Sequence, residues 1–265
     1  MEKLLHSQGY SQKPHNIERH NHRTYELIYI TKGVISVTIG SVCLKAQAPA
    51  VILINCLEEH SINILSSEYH RYFFTFSQKP LDFMLKDSRL FSLFKNHPDG
   101  SGYLFPVNQE IEAILSQLIQ ESSTQDDFSE AGLFCCLKLL LIHLYRQMPA
   151  PKLSLSPKAL TQVYQIQQEI DRRFTEPILI SELAKQYFVD KYYLTHCFKQ
   201  LTGYTPKQYL LLNRISYAKE LLQNSNQDMG AIAVQSGFSD ANSFIRTFKK
   251  SMGITPLQYQ KQNRN

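Results

Sequence analysis

Residues 198–209 read FKQLTGYTPKQY, and residues 248–259 read FKKSMGITPLQY. Phe, Lys, Gly, Thr, Pro, Gln and Tyr recur in register, fifty residues apart. A near-copy at that spacing restricts the C-terminal part of the chain to two versions of one supersecondary unit. Whatever that part does, it does twice.

The residues ahead of each copy predict a short helix, a tight turn and a second helix. In the later copy Met229, Ile232 and Ala233 give the first helix an apolar face, Gly237-Phe238 makes the turn, and Ser239 is the expected N-cap of a helix beginning at Asp240. In the earlier copy Leu183-Ala184 serves the first helix, Tyr187-Phe188 lies in the turn, and Asp190 is the expected cap. Helix, short turn, helix is the arrangement that lays its second helix in a DNA major groove.

At 100° per residue, Leu194, Phe198 and Leu201 share one face of the earlier second helix, and Tyr192, His196 and Lys199 lie opposite. In the later one Phe244 and Phe248 point inward and Asn242, Arg246 and Lys249 lie opposite. Both outer faces carry hydrogen-bonding or cationic groups, as base-edge and phosphate contacts require. A solvated surface helix also has a polar outer face, but two matched faces in one basic segment are harder to explain that way. Residues 151–265 hold 15 Lys and Arg against 8 Asp and Glu, whereas residues 1–150 hold 13 against 15. The chain's whole positive excess lies with the repeat, which suits a polyanionic partner.

The front of the chain has a different texture. YELIYI, VISVTI, AVILIN, SINIL and YHRYFFTF, between Tyr25 and Phe76, are short, rich in β-branched and aromatic residues, and separated by turn signals. Such strands without intervening helices predict an antiparallel barrel or sandwich. Two helices follow: one with a stripe of Ile111, Ile114, Leu115, Leu118 and Ile119, and one over about 128–148 that is apolar on most of its circumference. The second is either core or a contact with another subunit. PAPKLSLSPKAL, residues 149–160, reads as a linker.

Five cysteines without a C-x-x-C pair fit free thiols in a reducing cytosol rather than a disulfide framework or zinc cluster. The N-terminus lacks the apolar stretch of a signal peptide, and no segment is long and apolar enough to span a bilayer. A cytoplasmic protein without a membrane partner is expected.

The stretch from about Ile166 to Gln262 resembles the DNA-binding domain of AraC/XylS-type transcriptional regulators. The matching residues include Leu183-Ala184, Leu194, Phe198-Lys199, Gly203, Thr205-Pro206, Tyr209, Arg214, Ala218 and Leu221-Leu222. They continue with Ile232-Ala233, Gly237-Phe238, Phe244, Arg246, Phe248-Lys249, Gly253, Thr255-Pro256 and Tyr259. The resemblance implies helix-turn-helix units at about 181–203 and 229–253, joined by a stiff helix over about 206–223, reading two successive major grooves. It makes Lys191, Tyr192, Thr195, His196 and Lys199 of the first unit the candidate DNA contacts, with Ala241, Asn242, Ile245, Arg246 and Lys249 of the second. The family usually has Arg where His196 stands and Gly-Phe where Tyr187-Phe188 stands. A mostly neutral imidazole lacks the bidentate fork that Arg offers guanine, so the first unit is expected to read fewer bases.

His20-Asn21-His22, Glu26 and Gly33 follow the spacing H-x-H-x3-E-x6-G of the first cupin motif, and His60 stands near a later strand. The region is similar to the cupin-like sensor domain ahead of the helical domain in many AraC-type regulators. The resemblance implies a small-molecule effector, with carbohydrates the first class to consider, and His20, His22, Glu26, Tyr29 and His60 are the candidate effector-binding residues. Histidines and a carboxylate also suit a transition metal. However, the P-x-G of the second cupin motif is missing from Asn55-Cys56-Leu57-Glu58-Glu59, and no resident metal or cofactor is expected.

The expected fold is a two-domain α+β chain. Residues 1–105 form a cupin-like antiparallel β-barrel, 106–148 a helical connector that dimerises, 149–160 the linker, and 161–265 an all-α domain with two helix-turn-helix units. The expected function is a sequence-specific DNA-binding regulator, more often an activator than a repressor in this family, working with RNA polymerase and a small-molecule effector, and not an enzyme. The alternative is a cupin metalloenzyme with an accessory helical domain.

Overall fold

In the computed structural model, residues 3–12, 15–85, 89–94, 102–148 and 157–263 are described. The chain divides into two compact units, Met1–Lys152 and Leu153–Asn265.

The first unit begins with eight strands: β1 (Leu5–Ser11), β2 (Ile17–His20), β3 (Tyr25–Lys32), β4 (Val34–Ile39), β5 (Val42–Gln47), β6 (Ala50–Ile54), β7 (His60–Ile64) and β8 (His70–Phe76). A helix α1 (Gln78–Leu85), a 3-10 turn (Arg89–Phe94) and a short β9 (Leu104–Pro106) follow, then α2 (Gln109–Ser123) and α3 (Ser129–Gln147). All strand pairs are antiparallel, in one sheet of order β1-β8-β3-β6-β9 and another of order β2-β7-β4-β5. Among the described residues, the strands of the expected cupin-like fold hydrogen-bond in these two sheets.

Ile28, Ile30, Ile52 and Ile54 of the larger sheet pack against Ile35, Val37, Ile39, Ala46 and Ile62 of the smaller one. Strands β3 and β6 are buried along nearly their whole length, on both faces. Their second face is covered by the helical segments. Tyr25 donates its hydroxyl to Asp82 of α1 at 2.7 Å and sets its ring 4.8 Å from Phe94. That double burial explains why these strands read as continuous apolar runs. Strand β4 alternates instead, with Ile35, Val37 and Ile39 inward.

Asn108 caps α2 by accepting from the Ile111 N–H at 2.9 Å. In α3, Leu133, Leu137, Leu140, Leu141 and Leu144 are buried within this unit, so much of the helix's apolar circumference is core. Leu139, on the other side, remains 43% exposed.

The second unit contains α4 (Pro157–Arg173), α5 (Ile180–Gln186), α6 (Lys191–Thr202), α7 (Pro206–Asn224), α8 (Met229–Gln235), α9 (Ala241–Met252) and α10 (Pro256–Asn263). The expected linker was 149–160. Its last four residues instead form the first turn of α4, and 149–156 lie outside the described residues. A proline at the first helical position is compatible with helix entry because its missing N–H would be unpaired there anyway.

The repeated letters prove to be architectural. Gly203 ends α6 and Gly253 ends α9, both left-handed with φ of 80° and 75°. Thr205 and Gln208 form a capping box at the start of α7. Thr255 and Gln258 repeat it: the Thr255 N–H reaches Gln258 Oε1 at 2.9 Å, and the Gln258 N–H reaches Thr255 Oγ1 at 3.2 Å. Phe198 meets Tyr209 edge-to-face at 5.4 Å, and Phe248 meets Tyr259 at 5.5 Å. Each copy encodes a helix stop, a restart and the ring pair that fixes the angle between them.

Candidate nucleic-acid interface and sensor site

The two reading helices are positioned by matched caps. Asp190 accepts from the backbone of Tyr192 and Tyr193, each at 2.9 Å, as its spacing predicts. In the second unit the cap is Asp240, which accepts from Ser243 N at 2.8 Å, one residue later than the expected Ser239. The turns also align differently from the sequence expectation. Val189 N bonds Ala184 O and Phe238 N bonds Ala233 O, both at 2.9 Å, so Phe188 corresponds to Gly237 and not to Phe238. Phe188 and Gly237 are the left-handed residues of their turns, at φ 52° and 83°. The second turn is one residue longer, and Ser239 is the addition.

Leu194, Cys197, Phe198 and Leu201 of α6 and Phe244 and Phe248 of α9 are buried. Lys191, Tyr192, His196 and Lys199 are exposed, as are Asn242, Arg246 and Lys249, while Thr195, Ala241 and Ile245 are half-buried beside them. Arg246 bends its Nε back to Asn242 O at 3.4 Å. Among the described residues, Lys191, Lys199, Arg246 and Lys249 have no carboxylate within ion-pair distance, whereas Arg172 and Arg173 are paired with Glu169. The cations of the reading faces form no close ion pair, though Asp240 at the helix cap feels the charge of Arg246, and so stay available for phosphate and base-edge contacts.

Arg214 of α7, which the family resemblance singled out, does not face outward with them. Its Nε donates to Phe174 O at 2.7 Å and Nη2 to Glu176 O at 2.8 Å, and burial lowers its pKa. A Cβ on Gly237 would lie 2.7 Å from Phe174 O and 2.9 Å from Arg214 Nε. Arg214 thus ties the joining helix to the segment before α5 and, by close packing, to the turn of the second unit.

In the first unit of the chain, His20 ends β2, His22 follows it, Glu26 lies on β3 and His60 starts β7. The ring nitrogens of the three histidines come within 4.8 Å of one another. Glu26 Oε2 lies 3.1 Å from His22 Nε2 and 3.2 Å from His60 Nε2. Burial opposes charge on Glu26, but its contacts with His22 and His60 outweigh this and hold its carboxyl well below the usual range. Burial, then the neighbouring His60, lowers the pKa of His20.

Tyr29 does not join them. It lies an odd number of residues after Glu26, on the opposite face of β3, where its ring stacks on Tyr72 at 6.3 Å. Two neighbours went unnoticed in the sequence. Glu58 is buried, receives the Tyr103 hydroxyl, and is pushed up to about 7 by burial. Leu57, at φ 64°, donates its N–H to His22 O at 2.7 Å. No local signal marks either residue, since Leu rarely adopts that conformation and exposed glutamates are common.

The sequence matches the AraC-like ligand binding domain family over residues 4–135 and a helix-turn-helix domain family over residues 183–262. It is 24% identical over 253 residues to the uncharacterized HTH-type transcriptional regulator YisR of Bacillus subtilis, spanning 89% of this chain and 85% of that one. It is 27% identical over 193 residues to the Msm operon regulatory protein of Streptococcus mutans, spanning 72% and 66%. In fold it is similar to unsaturated fatty acid-bound ToxT of Vibrio cholerae, at a TM-score of 0.62 and 17% identity over 98% of this chain and 97% of that one. Among the described residues no helix is long and apolar enough to cross a membrane.

Proposed function

The chain belongs to the AraC family of transcriptional regulators, with a ligand-binding domain and a helix-turn-helix DNA-binding domain, and on that premise we propose how its residues divide the work. Helices α6 and α9 enter successive major grooves on one face of the duplex. Arg246 and Asn242 read base edges, Tyr192, Thr195, His196, Ala241 and Ile245 make the shorter contacts, and Lys191, Lys199 and Lys249 hold phosphates. The observation that carries this reading is the pair of cationic faces without close ion pairs, matched at fifty-residue spacing, in the basic unit.

The effector enters the first unit between the two sheets, near His20, His22, Glu26 and His60. Tyr69 and Arg71 add polar groups there: Arg71 lies against the Tyr69 hydroxyl, and Arg71 Nε and Nη1 are buried without a hydrogen-bond partner. Arg71 pairs across the sheet with Ile30, an inward residue. Orphaned donors in an apolar interior suit an oxygen-rich ligand, so carbohydrates come first and fatty acids, the ligand class of the ToxT complex, second. The ligand acts by preferring one of two arrangements of the regulator, since equal affinity for both would shift nothing. The regulator works in the cytoplasm as a homodimer that activates transcription with RNA polymerase.

Selection of bound sequences from a random duplex pool by the full-length chain tests the DNA reading. The recovered site should span two adjacent major grooves with centres about 34 Å apart and no internal palindrome. Recovery of no preferred sequence would overturn it.

A further inference from the structure

Strand β8 turns alternate side chains towards the space between the two sheets. Arg71, Phe73 and Thr75 pair across it with Ile30, Ile28 and Glu26 of β3, and Ile28 and Ile30 belong to the core between the sheets. The Arg71 guanidinium carbon lies 5.7 Å from the centre of the Phe73 ring, a cation–π contact that supplies no acceptor oxygen. Its Nε and Nη1 are buried and have no hydrogen-bond partner. A guanidinium stays charged at any ordinary pH, and a buried charge without a counter-ion is costly.

Among the described residues no carboxylate lies within ion-pair distance of Arg71. Glu26, on the same face of the sheet, is engaged by His22 and His60 at 3.1 and 3.2 Å. Tyr69 relates the two charges. Burial raises the pKa of its hydroxyl, Arg71 against it lowers that value, and the charge of Glu26 raises it again. The hydroxyl is therefore within electrostatic reach of both groups.

Resting on the reading that an effector enters between the sheets, we propose that this effector is a hydroxylated monocarboxylic acid of the sugar-acid class, an aldonate or uronate, whose carboxylate docks on Arg71. A carboxylate supplies both the missing acceptor and the missing counter-charge, in the planar geometry that a guanidinium matches bidentately. The charge of Glu26 disfavours a second anionic group on the ligand. Tyr69 and the half-buried His20 and His22 offer donors and acceptors to hydroxyl groups, not a lining for an alkyl chain.

The test follows thermal unfolding of the full-length chain at constant ionic strength. D-gluconate, D-glucuronate and D-galacturonate are each compared with a neutral counterpart, D-glucitol, D-glucose and D-galactose, and oleate is run beside them. At least one of the three acids should raise the melting temperature saturably, and its neutral counterpart should not. Arg71→Met should weaken that acid at least about thirtyfold, the loss that follows when one partner of a buried charge pair is removed. Should Arg71→Met fail to fold by circular dichroism, Arg71→Lys decides, because it keeps the charge, lacks the fork, and should also weaken the acid. The proposal is overturned if none of the three acids stabilises the chain, or if the stabilisation survives both substitutions. Stabilisation by a neutral sugar or by oleate that persists in Arg71→Met overturns the acid and leaves an effector between the sheets standing. An acid that binds through Arg71 without changing affinity for the selected DNA site upholds the ligand site and refutes its regulatory role.

Discussion

Phe188 and Gly237 occupy the same left-handed position in the two helix-turn-helix units, at φ 52° and 83°, yet one is 93% exposed and the other is packed against backbone. A side chain in that conformation costs about 1–2 kcal/mol. Phe188→Gly should remove that strain and raise stability by about 1 kcal/mol, less the added freedom of the unfolded chain. Gly237→Ala should lose more than about 2 kcal/mol, since its Cβ would lie 2.7 Å from the Phe174 carbonyl. Urea unfolding of the two variants separates them. Equal effects would mean the two turns are not equivalent.

Arg246→Ala should weaken the preferred DNA site far more than random DNA, by about 1–3 kcal/mol confined to one or two base pairs. Lys249→Ala should weaken both alike and reduce the slope of log K against log salt by about one unit. His196→Ala should cost less specificity than Arg246→Ala. Titrations against single-base-substituted sites at two salt concentrations check this, and base preferences that survive Arg246→Ala but vanish with His196→Ala would reverse the assignment.

Burial pushes the Glu58 carboxyl up to about 7 from its ordinary 4.5, against hydrogen bonds from Tyr103 and Asn55. The folded chain thus holds a proton that the unfolded chain releases, and stability falls as pH climbs from 4.5 towards 7. Glu58→Gln can still accept from Tyr103 and carries no charge. It should raise stability at pH 8, by at most about 3 kcal/mol, and leave it nearly unchanged at pH 5. Glu26 runs the other way: its depressed pKa contributes stability above its ordinary value, lost as pH falls well below it. Melting curves in which Glu58→Gln is destabilised equally at both pH values would show that Glu58 is not buried as an acid.

Leu139 lies on the side of α3 opposite its buried leucines and is 43% exposed. If that side is the subunit contact, the full chain should scatter light as a dimer at micromolar concentrations, and Leu139→Glu should make it monomeric without changing its circular dichroism. A wild-type monomer, or a dimer that tolerates Leu139→Glu, places the contact elsewhere.

The sequence by itself determined the helix stops, caps and apolar faces of the repeat, because these parts are local. A glycine that can turn left-handed, a threonine three residues before a glutamine, and a proline at the first helical position act on neighbours within one turn. The apolar faces of α6 and α9 follow from helical period for the same reason. The single-residue errors, Ser239 for Asp240 and Gly237-Phe238 set against Tyr187-Phe188, arose where one inserted residue left no compositional trace. Tyr29 was a period-two oversight, since an odd offset from Glu26 already puts it on the other face of a strand. Polar β1 and β2 escaped notice because strand pairing, not apolar pattern, holds them.

What only the tertiary structure decided is non-local. His20, His22, Glu26 and His60 converge because β2, β3 and β7 do, and that pairing depends on the whole two-sheet core. The side of α3 that is buried, the pKa of Glu58 and the left-handed Leu57, whose N–H reaches His22 O, belong to the same class. The left-handed Leu57 and the protonated Glu58 are unfavourable for the residue on its own and persist only where contacts distant in sequence hold them.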